Sequence, residues 1–255
     1  METIIFANQK GGVGKTVSSL AVATELAKNY RVLAIDGDPQ CNFTYASLSK
    51  GFNQTLTLNS VLMKECSIKN CIVKSCIGDF DIVPGDRKLV TADKRFTGIS
   101  DFSLLKKTLS FAENDYDFCI IDPPPTLGIL SLNYFVCADC VIVPLNTSCF
   151  SIQGLSTLYQ IIDDVKESLN PRLEVLGFLL TNYNPRTKIS KEVREALVEI
   201  AESKNTRLFY NNIRRSVSVE KAISENKSIY TCSKGVGEDY KNLTKEILTL
   251  IGEKK

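Results

Sequence analysis

The chain is predicted to fold as an α/β protein with a doubly wound, mainly parallel sheet flanked by helices. Three observations lead there. Short apolar, β-branched runs alternate with longer segments whose apolar residues recur at helical spacing. The first run, Ile4-Ile5-Phe6-Ala7, passes straight into the glycine-rich stretch Lys10-Gly11-Gly12-Val13-Gly14-Lys15-Thr16. Two later runs end on carboxylates, at Asp36 and Asp122. Continuous apolar runs suit strands covered on both faces, and helical connections suit a parallel sheet.

In chain order, the strand at Ile4 is followed by a helix over about 16–28, with Leu20, Ala23 and Ala27 on one face. Further strands are expected at Arg31 to Asp36, Phe80 to Pro84, Asp117 to Asp122, Asp139 to Pro144 and Glu174 to Thr181. Helices are expected at Phe102 to Glu113, Leu127 to Phe135, Ser151 to Leu169, Lys191 to Ser203 and Gly237 to Ile251. The polar, cysteine-containing stretch Lys50 to Ser75 reads as a helical excursion on the surface. No repeat, low-complexity tract or long linker divides the chain.

With 255 residues, 44% hydrophobic and 24% charged, one substantial domain over residues 1–255 is expected. The net charge of +2 neither demands nor excludes a polyanionic partner, so any nucleic-acid surface must be a local patch. No apolar run reaches membrane-spanning length and the first residues lack a signal-peptide pattern, which gives a cytoplasmic expectation. Nine cysteines, an odd number without a secretion signal, argue for reduced thiols. Cys137 and Cys140 form a C-x-x-C with no second pair at zinc spacing. Histidine is absent, which excludes His-based acid–base chemistry and His metal ligands.

The stretch from Lys10 to Thr16 reads as a nucleotide-phosphate cradle. Glycines let the backbone curl so that successive N–H groups face an anion, Lys15 adds a positive charge, and the Thr16 hydroxyl can ligate Mg²⁺. The expected ligand is ATP or GTP, seated at a helix N-terminus. In an open parallel sheet ligands bind beyond the carboxyl ends of the strands, where Ile35-Asp36-Gly37-Asp38-Pro39-Gln40 and Phe118-Cys119-Ile120-Ile121-Asp122 place their acids. A cradle and two strand-terminal carboxylates form the set that phosphoryl transfer to water requires. Taken singly, each aspartate also fits a helix cap or a turn.

Gln9 stands where the usual loop has its first glycine, and Lys10 is a second lysine. Lys-Gly-Gly-x-Gly-Lys-Thr resembles, at every fixed position, the deviant Walker A loop of the ParA/MinD class of P-loop ATPases. The resemblance continues through Asp36 to Gln40, through Asp122 and Pro123-Pro124-Pro125-Thr126-Leu127-Gly128, through Ala138 to Pro144, through Ile152-Gln153-Gly154-Leu155, and through Leu180 to Thr187. It spans about 3–229, with ParA/Soj, the short chromosome- and plasmid-partitioning ATPases without an N-terminal DNA-binding extension, as the nearest subgroup.

The resemblance implies a P-loop fold of the ParA/MinD (SIMIBI) type, ATP and Mg²⁺ as cofactors, and Mg²⁺-dependent ATP hydrolysis. It implies nucleotide contacts from Lys10, Gly11, Gly12, Val13, Gly14, Lys15, Thr16 and Val17. Catalytic roles fall on Lys10, Lys15 and Asp38, with Lys10 serving the nucleotide of the partner in an ATP-dependent homodimer. Metal contacts fall on Thr16, Asp38 and Asp122. The family's Ile-Pro-x-Asn adenine segment appears as Ile213-Arg214-Arg215-Ser216, which leaves Arg214, Ser216 and Asn182 as candidates near the base. Ser148 stands at a frequent Glu position and Ser218 at an arginine that contacts DNA.

Sequence-independent binding to double-stranded DNA is assigned to Arg186, Lys188, Arg214 and Arg215, and a ParB-like protein is the implied partner, in a nucleoid-associated cytoplasmic protein. The bases on and just before the helix expected from Lys191 to Ser203 alternate with Glu192, Glu195, Glu199 and Glu202, so a self-paired solvated face fits the same pattern. The alternative is a MinD-like membrane-associated ATPase, for which the apolar stripe Leu243, Ile247, Leu250 and Ile251 would insert. Its polar face mixes Lys241, Lys245 and Lys254 with Glu246 and Glu253, whereas interfacial helices carry a more basic one. A helix packed on the sheet is the expected outcome.

Overall fold

A computed structural model describes residues 1–53, 55–147 and 154–253. Strand β1 (Glu2–Phe6) is followed by helix α1 (Lys15–Leu26), β2 (Val32–Asp36), α2 (Asn42–Ser47) and α3 (Leu58–Leu62). Next come β3 (Val73–Lys74), β4 (Asp81–Val83), α4 (Ala92–Arg95), α5 (Leu104–Leu109), β5 (Phe118–Asp122), α6 (Ile129–Cys137) and β6 (Cys140–Asn146). The chain continues with α7 (Leu155–Ser168), β7 (Glu174–Thr181), α8 (Lys188–Ser203), α9 (Ser218–Ser224), α10 (Ile229–Cys232) and α11 (Lys234–Gly252). Among the described residues the strands form one sheet, in the order β3-β4-β2-β5-β1-β6-β7.

Alternation along each strand sorts the core into two layers. Ile4, Phe6, Val32, Ala34 and Ile120 face a cluster with Leu20, Ala23 and Leu26 of α1 and with Tyr240, Leu243, Ile247 and Ile251 of α11. Ile5, Leu33, Ile35, Cys119 and Ile121 face the other cluster, with Leu105, Tyr134, Leu158, Ile162 and Leu197 from α5 to α8. Strands buried on both faces explain why their sequences read as unbroken apolar runs.

The register sets the site. Asp36 pairs with Asp122 across β2 and β5, and Asn146 with Thr181 across β6 and β7, so the strand ends lie along one rim. The turn from β1 into α1 opens onto that rim, at the crossover where β1 lies between β5 and β6.

The predicted strands all form, within one or two residues of their expected ends. Two expectations need correction. The helix predicted from Phe102 to Glu113 is a 3₁₀ turn, Ile99–Ser103, followed by the short α5. The surface excursion of residues 50–75 is only partly helical: α3 and a 3₁₀ turn lead into β3, which pairs antiparallel with β4 at the sheet edge. Helix α2 was hidden in the sequence because it is a single capped turn rather than a periodic stretch. Ser148, Ile152, Gln153, the start of the helix expected from Ser151, and Lys254 lie outside the described residues. Among the described residues no helix is long and apolar enough to cross a membrane, and Leu243, Ile247, Leu250 and Ile251 are buried against the sheet.

Candidate functional site

The loop between β1 and α1 takes its shape from its glycines. Gly12 and Gly14 lie at φ of +73° and +89°, a region that favours glycine, and a side chain on Gly11 or Gly12 would point into open space. Gly14 caps α1 in this left-handed conformation, which leaves the first N–H groups of a twelve-residue helix unpartnered by its own turns. These donors and the positive end of the helix dipole make an anion seat.

Side chains stitch the loop to the sheet. The Thr181 hydroxyl lies 2.9 Å from the Val13 carbonyl and 3.2 Å from that of Leu145, joining the loop to the ends of β7 and β6. Asn8 donates to the Pro144 carbonyl at 2.7 Å, and its own side-chain oxygen accepts from the Lys10 amide at 2.9 Å. Neither Asn8 nor Thr181 stands out in the sequence, because each acts on backbone groups that only the fold brings near.

Lys15 is only 7% exposed, and its ammonium donates to the Lys10 carbonyl at 3.1 Å. Burial lowers its pKa, against the opposing charges of Asp122 and Asp38. The Thr16 hydroxyl donates to Asp122 Oδ2 at 2.7 Å, and Ser19, one turn on, donates to Oδ1 at 3.2 Å. Burial, with Asp36 nearby, pushes the Asp122 carboxyl up to about 8. A fully buried acid in this state is stabilised as an anion by a cation beside it.

Asp36, opposite Asp122 in the sheet register, bonds to other partners. Its Oδ2 accepts from the amide and hydroxyl of Thr44 at 2.8 and 2.6 Å, so it caps α2, and burial raises its pKa to about 6. Its Oδ1 accepts from the Asp38 amide at 3.2 Å. Asp38, 9% exposed, accepts from the Gln40 amide at 2.8 Å and borders the cavity beside the loop.

That cavity, of about 370 Å³, is lined by Gly11, Gly12, Gly14, Lys15, Thr16 and Val17 of the loop. Asp38, Gln40, Asn42 and Pro125 line it from the two carboxylate segments, and Thr181, Asn182, Ile213, Arg214, Ser216, Val219 and Tyr240 complete it. The structure thus brings the phosphate loop, Asp38 and the three residues expected near a base to one space. Val13 is fully buried and Lys10 half-buried; neither lines the cavity. Asn182 lies at φ +52°, a conformation that asparagine tolerates. The segment from Ile213 is held to β7 by backbone bonds, Tyr183 donating to Ile213 and Ile213 to Leu180, each at 2.9 Å.

The basic residues divide. Arg186 and Arg215 are exposed, and the Arg215 amide donates to the Tyr183 carbonyl at 3.3 Å. Lys188 is exposed and 3.5 Å from Glu192. Arg214 is different: its amide and guanidinium donate to Asp239 of α11 at 3.0, 2.7 and 2.7 Å. This bidentate pair commits the side chain to holding the segment against α11.

Comparison with known proteins places this geometry in a family. A family profile described as an AAA domain matches residues 1–175. The chain is 32% identical to the chromosome-partitioning ATPase Soj of Treponema pallidum, over 99% of both chains. It is 33% identical to the chromosome partitioning protein ParA of Caulobacter vibrioides, covering 98% of this chain and 94% of that one. The chain belongs to the ParA/Soj family. Among solved structures, cobyrinic acid a,c-diamide synthase from Mycobacterium smegmatis with bound ADP and magnesium superposes with a TM-score of 0.86 at 26% identity, covering all of this chain and 97% of that one.

The donor set also suits what the ParA/Soj family loop implies. Thr16 and Asp122 offer adjacent oxygens, the ligand type that Mg²⁺ takes together with waters and phosphate. The buried lysine and the open glycine backbone suit a phosphate chain.

Proposed function

We propose that this ParA/Soj family chain is an ATP- and Mg²⁺-dependent switch that dimerises around ATP, binds double-stranded DNA without sequence preference as the dimer, and resets by hydrolysis. The observation that carries this reading is the meeting of Lys15, Thr16 and Asp38 around one cavity at the mouth of the glycine loop, with Asp122 buried behind Thr16 and bonded to its hydroxyl. Thr16 and Asp122 hold the metal, Lys15 and the loop amides hold the phosphates, and Asp38 orients the attacking water. Bound Mg²⁺ neutralises charge on the phosphates and polarises the bond to be broken.

Lys10 acts across the dimer. Its position at the loop's edge, outside the cavity lining, supports contact with a nucleotide held by the partner copy. A ligand shifts monomer to dimer only by binding the dimer more tightly, and a γ-phosphate reached by Lys10 provides that difference. Asn182 and the segment Ile213 to Ser216 flank the base.

DNA contacts come from Arg186, Lys188 and Arg215, which are exposed near the end of β7, and they address phosphates rather than base edges. The biological role is segregation of chromosome or plasmid DNA with a ParB-like protein that accelerates the reset, in the nucleoid-associated cytoplasm. Burial of the α11 stripe supports this over a MinD-like membrane role. The deciding experiment is a DNA mobility shift with ATP, ADP and no nucleotide, run beside sedimentation with anionic liposomes. Salt-sensitive DNA binding with ATP alone is expected. Sedimentation with liposomes and no DNA shift would replace this reading with the membrane one.

A further inference from the structure

Between the two candidate carboxylates Asp36 and Asp38 lies Gly37, and both of its backbone polar groups are held by the neighbouring β5–α6 unit. Its amide donates to the Asp122 carbonyl at 2.9 Å. Its carbonyl accepts from the hydroxyl of Tyr134, on α6, at 3.0 Å. Tyr134 is fully buried, and burial raises its pKa well above the ordinary tyrosine value, so the phenol stays protonated and donates. Its ring fills the space a side chain at position 37 would take: a methyl group there would lie 2.5 Å from Cζ and 2.6 Å from the hydroxyl oxygen. Only glycine admits this approach.

The consequences reach the cavity. Asp38 is joined to Gly37 by one peptide bond and followed by Pro39, whose ring fixes its own φ, so the direction of the Asp38 side chain depends on how the Gly37 peptide is set. Helix α6 follows directly from the turn that leaves Asp122, and Ser131 of α6 donates back to the Thr126 carbonyl in that turn. A displacement of the turn therefore carries Tyr134, and with it the Gly37 carbonyl.

We propose that Tyr134 is a positioning residue for Asp38, coupling the segment after the second carboxylate strand to the water-orienting carboxylate after the first. The proposal rests on the hydrolytic role of Asp38 under the proposed function. Tyr134 does not line the cavity; it acts by fixing one peptide.

The test is steady-state ATP hydrolysis with Mg²⁺ by the full chain. Tyr134→Phe keeps the ring and removes only the hydroxyl, and is expected to lower kcat about threefold to tenfold, the worth of one hydrogen bond, with KM for ATP unchanged. Gly37→Ala forces the ring away and is expected to lose turnover. Gly37→Ala with Tyr134→Ala relieves the clash and recovers turnover to at most the level of Tyr134→Phe. A wild-type kcat in Tyr134→Phe, or a matching rise in KM, overturns the proposal, as does a double variant no better than Gly37→Ala. Should Gly37→Ala fail to fold, Tyr134→Phe decides alone. Asp38→Ala separates the two levels: wild-type turnover there removes the reading of Asp38 itself, whereas its loss beside a wild-type Tyr134→Phe removes only the role of the tyrosine.

Discussion

The two ends of the cavity are built on different principles. At the phosphate end, Thr16 and Ser19 meet Asp122 side chain to side chain at 2.7 and 3.2 Å, beside the buried ammonium of Lys15, which is tied to the Lys10 carbonyl at 3.1 Å. At the far end, Asn182 and residues 213–216 are placed by backbone bonds to β7 and by one ion pair to α11, with exposed side chains around them. Chemistry on a phosphate needs a few residue types at fixed places, so the first end tolerates little substitution. Backbone placement leaves side chains freer to differ, so the second end can keep its shape with many sequences.

The comparison breaks most simply at Lys15. Lys15→Ala removes the buried cation and is expected to weaken equilibrium ATP binding by at least about a hundredfold, as expected for a charge-assisted contact in a desolvated site. Lys10→Ala should bind ATP near normally yet give no ATP dimer in light scattering. Equal loss of affinity in both would merge the two roles.

A division among the carboxylates is the next test. Asp38→Ala is expected to bind ATP with Mg²⁺, dimerise and hydrolyse about a hundredfold more slowly, accumulating on DNA. Asp122→Ala should lose Mg²⁺ affinity itself, seen as a raised Mg²⁺ requirement in binding assays. If magnesium titrations of the two variants superposed, Asp122 would have no separate part.

The same contrast explains what the sequence disclosed. The glycine loop, Lys15 and the strand-terminal acids were legible because each is a residue type tied to a chemical need at a fixed spacing, whereas Lys10 stood out only through the resemblance of its loop. The parallel strands read through because burial on both faces leaves an unbroken apolar run. Residues 50–75 did not, since a two-residue edge strand and a one-turn helix carry no period. Arg214 read as a DNA contact because pattern shows charge but not partner; Asp239, 25 residues on, is visible only in the fold. Asn8, Ser19, Thr181 and Tyr134 escaped for a similar reason. They act on backbone or carboxylate groups distant in sequence, and only the i, i+4 spacing of Lys15 and Ser19 could have flagged one of them.

The far end is sharpened by separating its arginines. Arg186→Glu with Arg215→Glu is expected to weaken binding about equally on unrelated duplexes and to lower the log–log salt slope by about 0.9 per lost phosphate contact, leaving DNA-free ATP turnover near normal. Arg214→Ala should do the reverse, loosening the segment from α11 and raising KM for ATP severalfold with the salt slope unchanged. If Arg214→Ala flattened the slope as Arg186→Glu does, its pairing with Asp239 would not keep it from DNA.

The smallest expected effect lies in the nucleotide-free protein and comes from the phosphate end alone. Asp36 and Asp122 carry folded-state pKa values of about 6 and about 8, raised first by burial, above the ordinary aspartate value of an unfolded chain. Below that ordinary value both states are protonated and nothing is lost. As pH rises, the unfolded chain releases these protons first, so folding becomes progressively less favourable until the folded groups ionise as well. The melting temperature without nucleotide should therefore fall between about pH 4 and pH 8 and level off above, with the part beyond about pH 6 coming through Asp122, whose folded pKa is about 8. Asp122→Asn, uncharged throughout, should melt with a shallower pH dependence, while Arg214→Ala, at the other end, should retain the wild-type slope. A wild-type slope in Asp122→Asn would place the strained charge elsewhere and leave Asp122 with no need of a cation beside it.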